Sequence, residues 1–389
     1  MWPMRTWDIF CTVIDNYGDI GVSWRLARSL AREHGLRVRL WIDDLSAFQQ
    51  MQPEIQLDLA QQLCNDVTVC AWPAAMSATQ PAEVVIEAFG CVLPEIYVAA
   101  MAAQSPPPVW VNLEYLSAES WVGGHHGLPS PHPQLPLTKY FFFPGYDAAT
   151  GGLLRERDLL AHRERFLLNE TAAYWQALGL AVPAANEWRV SLFAYENPAL
   201  AELLDAWAAG SEPVTLLVPE GRILSQLADW LGEKDLQAGA VARHGALEVR
   251  VLPFTSQDGY DRLLWACDFN FVRGEDSCVR AQWAARPLVW QAYPQAEAAH
   301  FDKLEALLAC YTALLAPAAA QSISACWRRW NGVPDAPNMA ECWSGMKEWR
   351  GELMAHAAAW QMKLAQQPSL ADALVAFAES KRSSRTDGV

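Results

Sequence analysis

The stretch between Ile9 and Ile42 decides the fold class. Ile9 to Ile14 reads as a short buried strand and ends in the loop Asp15-Asn16-Tyr17-Gly18-Asp19-Ile20-Gly21. A helix follows. Ile20, Trp24, Ala27 and Ala31 recur at helical spacing, flanked by Leu26 and Leu30, while Arg25, Arg28 and Arg32 lie largely off that stripe. Leu36 to Ile42 is the next strand. Two strands joined by a helix within about forty residues form a βαβ unit, and such strands lie parallel. Ligands of parallel sheets collect at the carboxyl ends of the strands, which makes the Asp15–Gly21 loop a candidate site from the outset.

The pattern continues through Val67–Trp72, Val84–Phe89 and Val109–Leu113 as strands, with a helix over Pro94–Ala103. A loop rich in functional groups, Glu114 to Trp121, comes next, then Gly123-Gly124-His125-His126, the aromatic run Tyr140–Phe143 and the turn Gly151-Gly152. Residues 155–180 look helical and Val182–Asn186 reads as a linker. A second series then begins, with strands at Trp188–Ala194, Val214–Val218, Leu247–Leu252 and Leu288–Gln291 and helices at Ala199–Ala209, Ile223–Leu231 and Tyr260–Cys267. From Ala298 onward the pattern is mostly helical, and the polar tail 381–389 is expected to be disordered. A chain of 389 residues is long for one core. The expected organisation is therefore an α/β fold of twin Rossmann-like domains facing across a cleft. Residues 1–180 form the first domain and 187–360 the second, with a C-terminal helical segment at 361–380.

Composition narrows the function classes. The formal charge of −15 opposes nucleic-acid phosphates and anionic membrane surfaces as main partners, and an acidic cleft would attract a cationic side chain. Nine cysteines, an odd number without a C-x-x-C pair, read as reduced thiols of a cytoplasmic protein. The N-terminus lacks a signal-peptide layout, and no apolar run approaches the length of a membrane span.

The second series carries the clearest ligand motif. An apolar segment from Asn270 runs through Arg273 into Gly274, followed by Glu275-Asp276-Ser277 and a helical pattern. Asp276 or Ser277 is suited to cap that helix, and the amides and dipole of its first turn suit an anion, phosphate above all. The neighbouring carboxylates oppose a bare phosphate, so a ligand bearing both phosphates and hydroxyls, such as a sugar nucleotide, fits better. Tyr195, Phe254 and Gln257 fall at or after carboxyl ends of the same series, where an aromatic and an amide can hold a base. Asp15 and Asp19 stand four residues apart on the first β–α loop, as a general base with a charged partner or as helix caps. His125, His126 and His132 lack the acid or cysteine spacing of a metal site. Neither a P-loop nor a G-x-S-x-G elbow occurs, and the glycines near Asp15 do not complete G-x-G-x-x-G.

Four segments together resemble one known family. Asp15 to Arg28, Asn112 to Glu119, Phe141-Phe142-Phe143-Pro144-Gly145 and Asn270 to Gln291 are similar to the bacterial protein-arginine rhamnosyltransferases that modify elongation factor P (EarP), and the likeness runs from about residue 7 to 360. The resemblance implies a GT-B glycosyltransferase fold and an inverting transfer of L-rhamnose from dTDP-β-L-rhamnose to one arginine of elongation factor P. That modification would activate the factor for rescue of ribosomes stalled at polyproline. By motif, Phe254 would stack on thymine, Gln257 would help place the nucleotide, and Tyr195 and Ser277, with amides near Asp276, would hold the diphosphate. Glu275 would contact donor hydroxyls, Asp19 would be the base and Asp15 its partner. Asn16, Tyr17, Gly18, Arg273 and Glu114 lie in the matching segments and are further candidates. The resemblance calls for no cofactor and no metal. Two other classes stay open on the sequence: a GT-B enzyme with another sugar nucleotide or acceptor, and a non-enzymatic binder of a nucleotide or of elongation factor P.

Overall fold

A computed structural model describes residues 5–13, 17–72, 79–295 and 298–386, with side chains to Ser383. Asp15 and Asn16 lie outside the described residues. The chain divides into two compact units, residues 1–157 with 366–389, and residues 158–365.

The first unit is built on one sheet. Its strands are β1 Thr6–Cys11, β2 Arg37–Ile42, β3 Gln61–Cys64, β4 Val67–Ala71, β5 Val84–Ala88, β6 Val109–Leu113, β7 Pro129–Pro131 and β8 Thr138–Phe142, in the spatial order β3-β4-β2-β1-β5-β6-β8-β7. Both edge pairs are antiparallel and all inner pairs are parallel. The hairpin between β3 and β4 turns on Asn65 and Asp66, both at positive φ (47° and 70°), the backbone that a two-residue primed turn requires. Strand order reverses between β1 and β5, so the carboxyl end of β1 is the switch point where ligands bind.

The first helix, Gly18–His34, buries Ile20, Trp24, Ala27, Leu30 and Ala31 as its periodicity requires, and it ends on Gly35 at φ 62°. Arg25, expected off the apolar stripe, is buried as well. Its guanidinium meets Glu156 at 3.4 Å, because the segment before residue 157 covers a helix face that the repeat leaves polar.

The second unit repeats the design with six strands among the described residues: β9 Trp188–Leu192, β10 Val214–Pro219, β11 Val241–His244, β12 Leu247–Leu252, β13 Phe269–Arg273 and β14 Leu288–Gln291. Their order is β11-β12-β10-β9-β13-β14, parallel except at the β11–β12 edge. Here the switch point lies between β9 and β13.

The unit boundaries differ from the sequence expectation at both ends. Residues 158–180, assigned to the first domain, pack on the second unit. Trp175 joins Leu217, Leu263 and Cys267 in one apolar cluster, and Phe166 sets its ring 5.6 Å from Trp265. Residues past 365 return to the first unit. Leu370, Ala371, Leu374 and Ala378 enter the core that holds Trp7 and Leu30, and the Leu370 amide donates to the Leu153 carbonyl at 2.9 Å. The tail expected to be disordered is helical as far as Thr386, because Leu370–Thr386 is one continuous helix whose apolar side is docked. Among the described residues no helix is long and apolar enough to cross a membrane.

Candidate active site

In the second unit Tyr195, Arg273, Glu275, Asp276 and Ser277 lie at the β9–β13 switch point. Tyr195 follows β9, and Gly274 follows β13 at φ 62°, a left-handed backbone suited to glycine. The helix behind it runs Asp276–Trp283, with Glu275 at the N-cap position and no side-chain cap bond. This corrects the expected cap at Asp276 or Ser277. Ser277 instead turns inward: its hydroxyl donates to the Arg273 carbonyl and accepts from the Arg273 amide at 3.2 Å, closing the glycine turn upon itself. Its own amide remains in the helix's first turn, with the positive end of the dipole.

Arg273 gives this edge its charge. The guanidinium lies 4.6 Å from the Phe193 ring centroid and 4.4 Å from that of Tyr195, sandwiched by cation–π contacts. It is 6% exposed, and its Nη1 is buried with no hydrogen-bond partner. A buried cation with an unmet donor is costly unless something anionic completes it. Sequence reasoning named Arg273 but not its stacking partner Phe193, which reads as a plain strand residue.

Phe254 and Gln257 follow β12, two strands from β9. At the ordinary strand spacing that puts them roughly 10 Å along the same edge, about the length of a nucleoside diphosphate. Phe254 is 39% exposed, and its amide is held by the Glu220 carboxylate at 2.9 Å. Gln257 is buried at the start of the helix Gln257–Ala266, which Ser256 caps by accepting from the Gly259 amide at 3.2 Å. A pair invisible to sequence joins the two ends of the edge. Arg280 donates to both oxygens of Asp261, at 2.9 and 2.6 Å, with both side chains buried. Tyr260 packs beside them, 5.4 Å from the Phe193 ring, and burial pushes its phenol far above the usual tyrosine range.

In the first unit the corresponding edge holds Asp19. The first helix starts at Gly18 with Tyr17 as its cap residue, so Asp19 occupies the first turn and not the cap. Its side chain is buried, and the helix dipole favours the carboxylate there. Cys11, the last residue of β1, registers that environment: burial pushes its thiol up, and the Asp19 charge adds to the rise. The Tyr17 hydroxyl donates to Gln50. Glu114 follows β6, with its Oε1 accepting from the Asn112 amide at 2.5 Å. Phe89, at φ 57°, stacks on Tyr115 with centroids 4.9 Å apart, an aromatic wall that the sequence reading did not single out.

The three histidines have structural partners. The Nδ1 atoms of His126 and His132 accept backbone amides, from Phe143 at 3.1 Å and from Leu135 at 3.1 Å, and that of His125 lies 2.9 Å from the Trp121 carbonyl.

Comparison with known proteins places this geometry in a family. The profile of the family described as elongation factor P (EF-P) rhamnosyltransferase EarP matches residues 7–379. A protein-arginine rhamnosyltransferase from Pseudomonas putida is 55% identical over 96% of this chain and 98% of its own length. Its namesake from Neisseria meningitidis is 38% identical over 96% and 97%. A solved structure described as the basis for EarP-mediated arginine glycosylation of translation elongation factor EF-P is 40% identical. It covers 97% of this chain and 99% of its own, at a TM-score of 0.70. The spinosyn rhamnosyltransferase SpnG, 13% identical at a TM-score of 0.52 and covering 97% of this chain and all of its own, shares the fold alone. Twin switch-point edges on a GT-B scaffold, matched from end to end by these relatives, make the chain a member of the EarP family of protein-arginine rhamnosyltransferases.

Proposed function

We propose that the protein transfers L-rhamnose from dTDP-β-L-rhamnose to an arginine side chain of elongation factor P, with inversion at the anomeric carbon. The single observation that carries the donor half is the buried Arg273 guanidinium, stacked at the switch point with Nη1 unmet beside a helix N-terminus. A diphosphate completes both. In this reading the thymine stacks on Phe254 and Gln257 fixes the nucleotide. Tyr195, the Ser277 amide and the amides near Asp276 meet the diphosphate, and Glu275 meets the sugar hydroxyls.

Free arginine has a pKa above 12, so no carboxylate deprotonates it in the ground state at neutral pH. Asp19 and Asp15 instead grip the guanidinium and localise its charge, leaving one nitrogen nucleophilic. That nitrogen attacks the anomeric carbon as the bond to the diphosphate oxygen breaks, and Asp19 takes the proton as the C–N bond forms. The departing dTDP is held by Arg273 and the helix dipole, the electrostatic stabilisation of charge where it develops. No metal is called for in this scheme. The modified factor would then act on ribosomes stalled at polyproline, and the enzyme would work in the cytoplasm beside it.

Incubation with dTDP-β-L-rhamnose and elongation factor P, followed by intact-mass analysis and peptide mapping, tests the proposal. One deoxyhexose on one arginine is the expected result. Binding of both molecules without modification, or transfer only from another sugar nucleotide, would overturn it.

A further inference from the structure

We propose that Gln291 is a positioning residue that sets the diphosphate subsite by clamping both of its walls at once. The inference rests on the donor reading given above. Gln291 ends β14 and is buried. Its side-chain Oε1 accepts from the Tyr195 amide at 2.9 Å, and its Nε2 donates to the Glu196 carbonyl at 3.3 Å. Its own carbonyl accepts from the Gly274 amide at 3.1 Å. One residue thus holds the loop after β9 by its side chain and the glycine turn after β13 by its backbone. Those two segments carry the rings and amides between which Arg273 lies.

The clamp is itself braced. The Trp290 indole donates to the Gly274 carbonyl at 2.6 Å, so the turn is pinned through both of its peptide groups. Asn331, just past the helix Pro317–Trp330, donates to the Trp290 carbonyl at 2.7 Å and accepts from the Ala292 amide at 2.8 Å. The end of β14 therefore cannot shift without breaking bonds on three sides. A side chain with only an acceptor or only a donor could not serve both the Tyr195 amide and the Glu196 carbonyl. The carboxamide does both and adds no charge beside a site for an anion.

The consequence is specific to phosphate. Loss of the clamp loosens the Tyr195 loop against the Gly274 turn but leaves Phe254 and Gln257, which hang on β12, untouched. Gln291→Met keeps length and volume and removes both side-chain bonds. Its affinity for dTDP, measured by calorimetry, should fall about tenfold or more, as expected for losing a buried bonded pair. Its affinity for thymidine, which has no phosphate and is measured by NMR titration, should stay within about twofold. Hydrogen exchange at the Tyr195 amide should accelerate, and Asn331→Ala should reproduce the same split in weaker form. Equal losses for dTDP and thymidine would make Gln291 merely structural and overturn the proposal, as would unchanged dTDP binding. A wild-type chain that binds thymidine but gains nothing from the diphosphate would instead overturn the donor reading and the inference with it.

Discussion

Asp19 combines burial with a place in the first turn of a helix, and these act oppositely on its charge. Burial disfavours the carboxylate, while the helix dipole and a bound guanidinium favour it. Asp19→Asn keeps the shape and removes only the charge, so dTDP affinity should stay within about twofold while kcat falls about 100-fold or more, the scale of a lost general base. Single-turnover transfer assays beside calorimetry check both halves, and near-normal kcat would remove Asp19 from the reaction. Asp19 was legible as a candidate because the sequence places it just past a strand of a parallel sheet, where such folds bind ligands. Gly274 and its helix were legible for the same reason. The partners of these residues were not. Phe193 looks like any strand residue, and Gln291 lies 96 positions from the amide it holds, a separation over which no local pattern operates.

At the scale of elements, the helices Gln257–Ala266 and Asp276–Trp283, the proposed base and phosphate ends of a donor edge, are joined by the Asp261–Arg280 pair. Breaking one member of a buried pair leaves an uncompensated charge. Asp261→Asn should therefore lower stability by about 3–5 kcal/mol, and a double change to apolar residues, Asp261→Leu with Arg280→Met, should recover most of that loss. Urea unfolding of the single and double variants decides it, and additive losses would contradict the account. A second element effect concerns pH. His126 packs 4.5 Å from the Phe142 ring while accepting the Phe143 amide, and burial holds its pKa below the ordinary histidine value. The unfolded chain then binds more protons than the folded one below about pH 6.5, so stability falls as pH drops through that range towards the folded pKa. His126→Asn keeps an acceptor for the amide and cannot titrate. Thermal unfolding from pH 7 to pH 5 should show a shallower decline in that variant than in the parent chain. Apolar strands and amphipathic helices were readable from their periods, whereas the edge strands β3, β7 and β11 were not. They are short and mostly exposed, so little apolar alternation marks them.

The whole molecule is not laid out in the order of its sequence. Two halves were legible because each repeats the βα pattern, but their exchange of segments was not, since an amphipathic helix carries no label for the core it covers. The consequence can be tested with a single substitution. Leu374 lies after the entire second unit in the chain, yet it is fully buried in the core that supports β1 and the first helix. Leu374→Asp places a charge in that core without a partner, which costs several kcal/mol and rivals the whole stability of a domain. Calorimetry should then lose the transition of residues 1–157 while that of 158–365 remains. If the donor edge lies wholly in the second unit, the variant should still bind dTDP with nearly normal affinity, yet it should transfer no rhamnose because Asp19 has lost its frame. Loss of dTDP binding together with transfer would mean that the donor edge depends on the first unit. Retention of both would mean that the returning helix contributes little to the first unit.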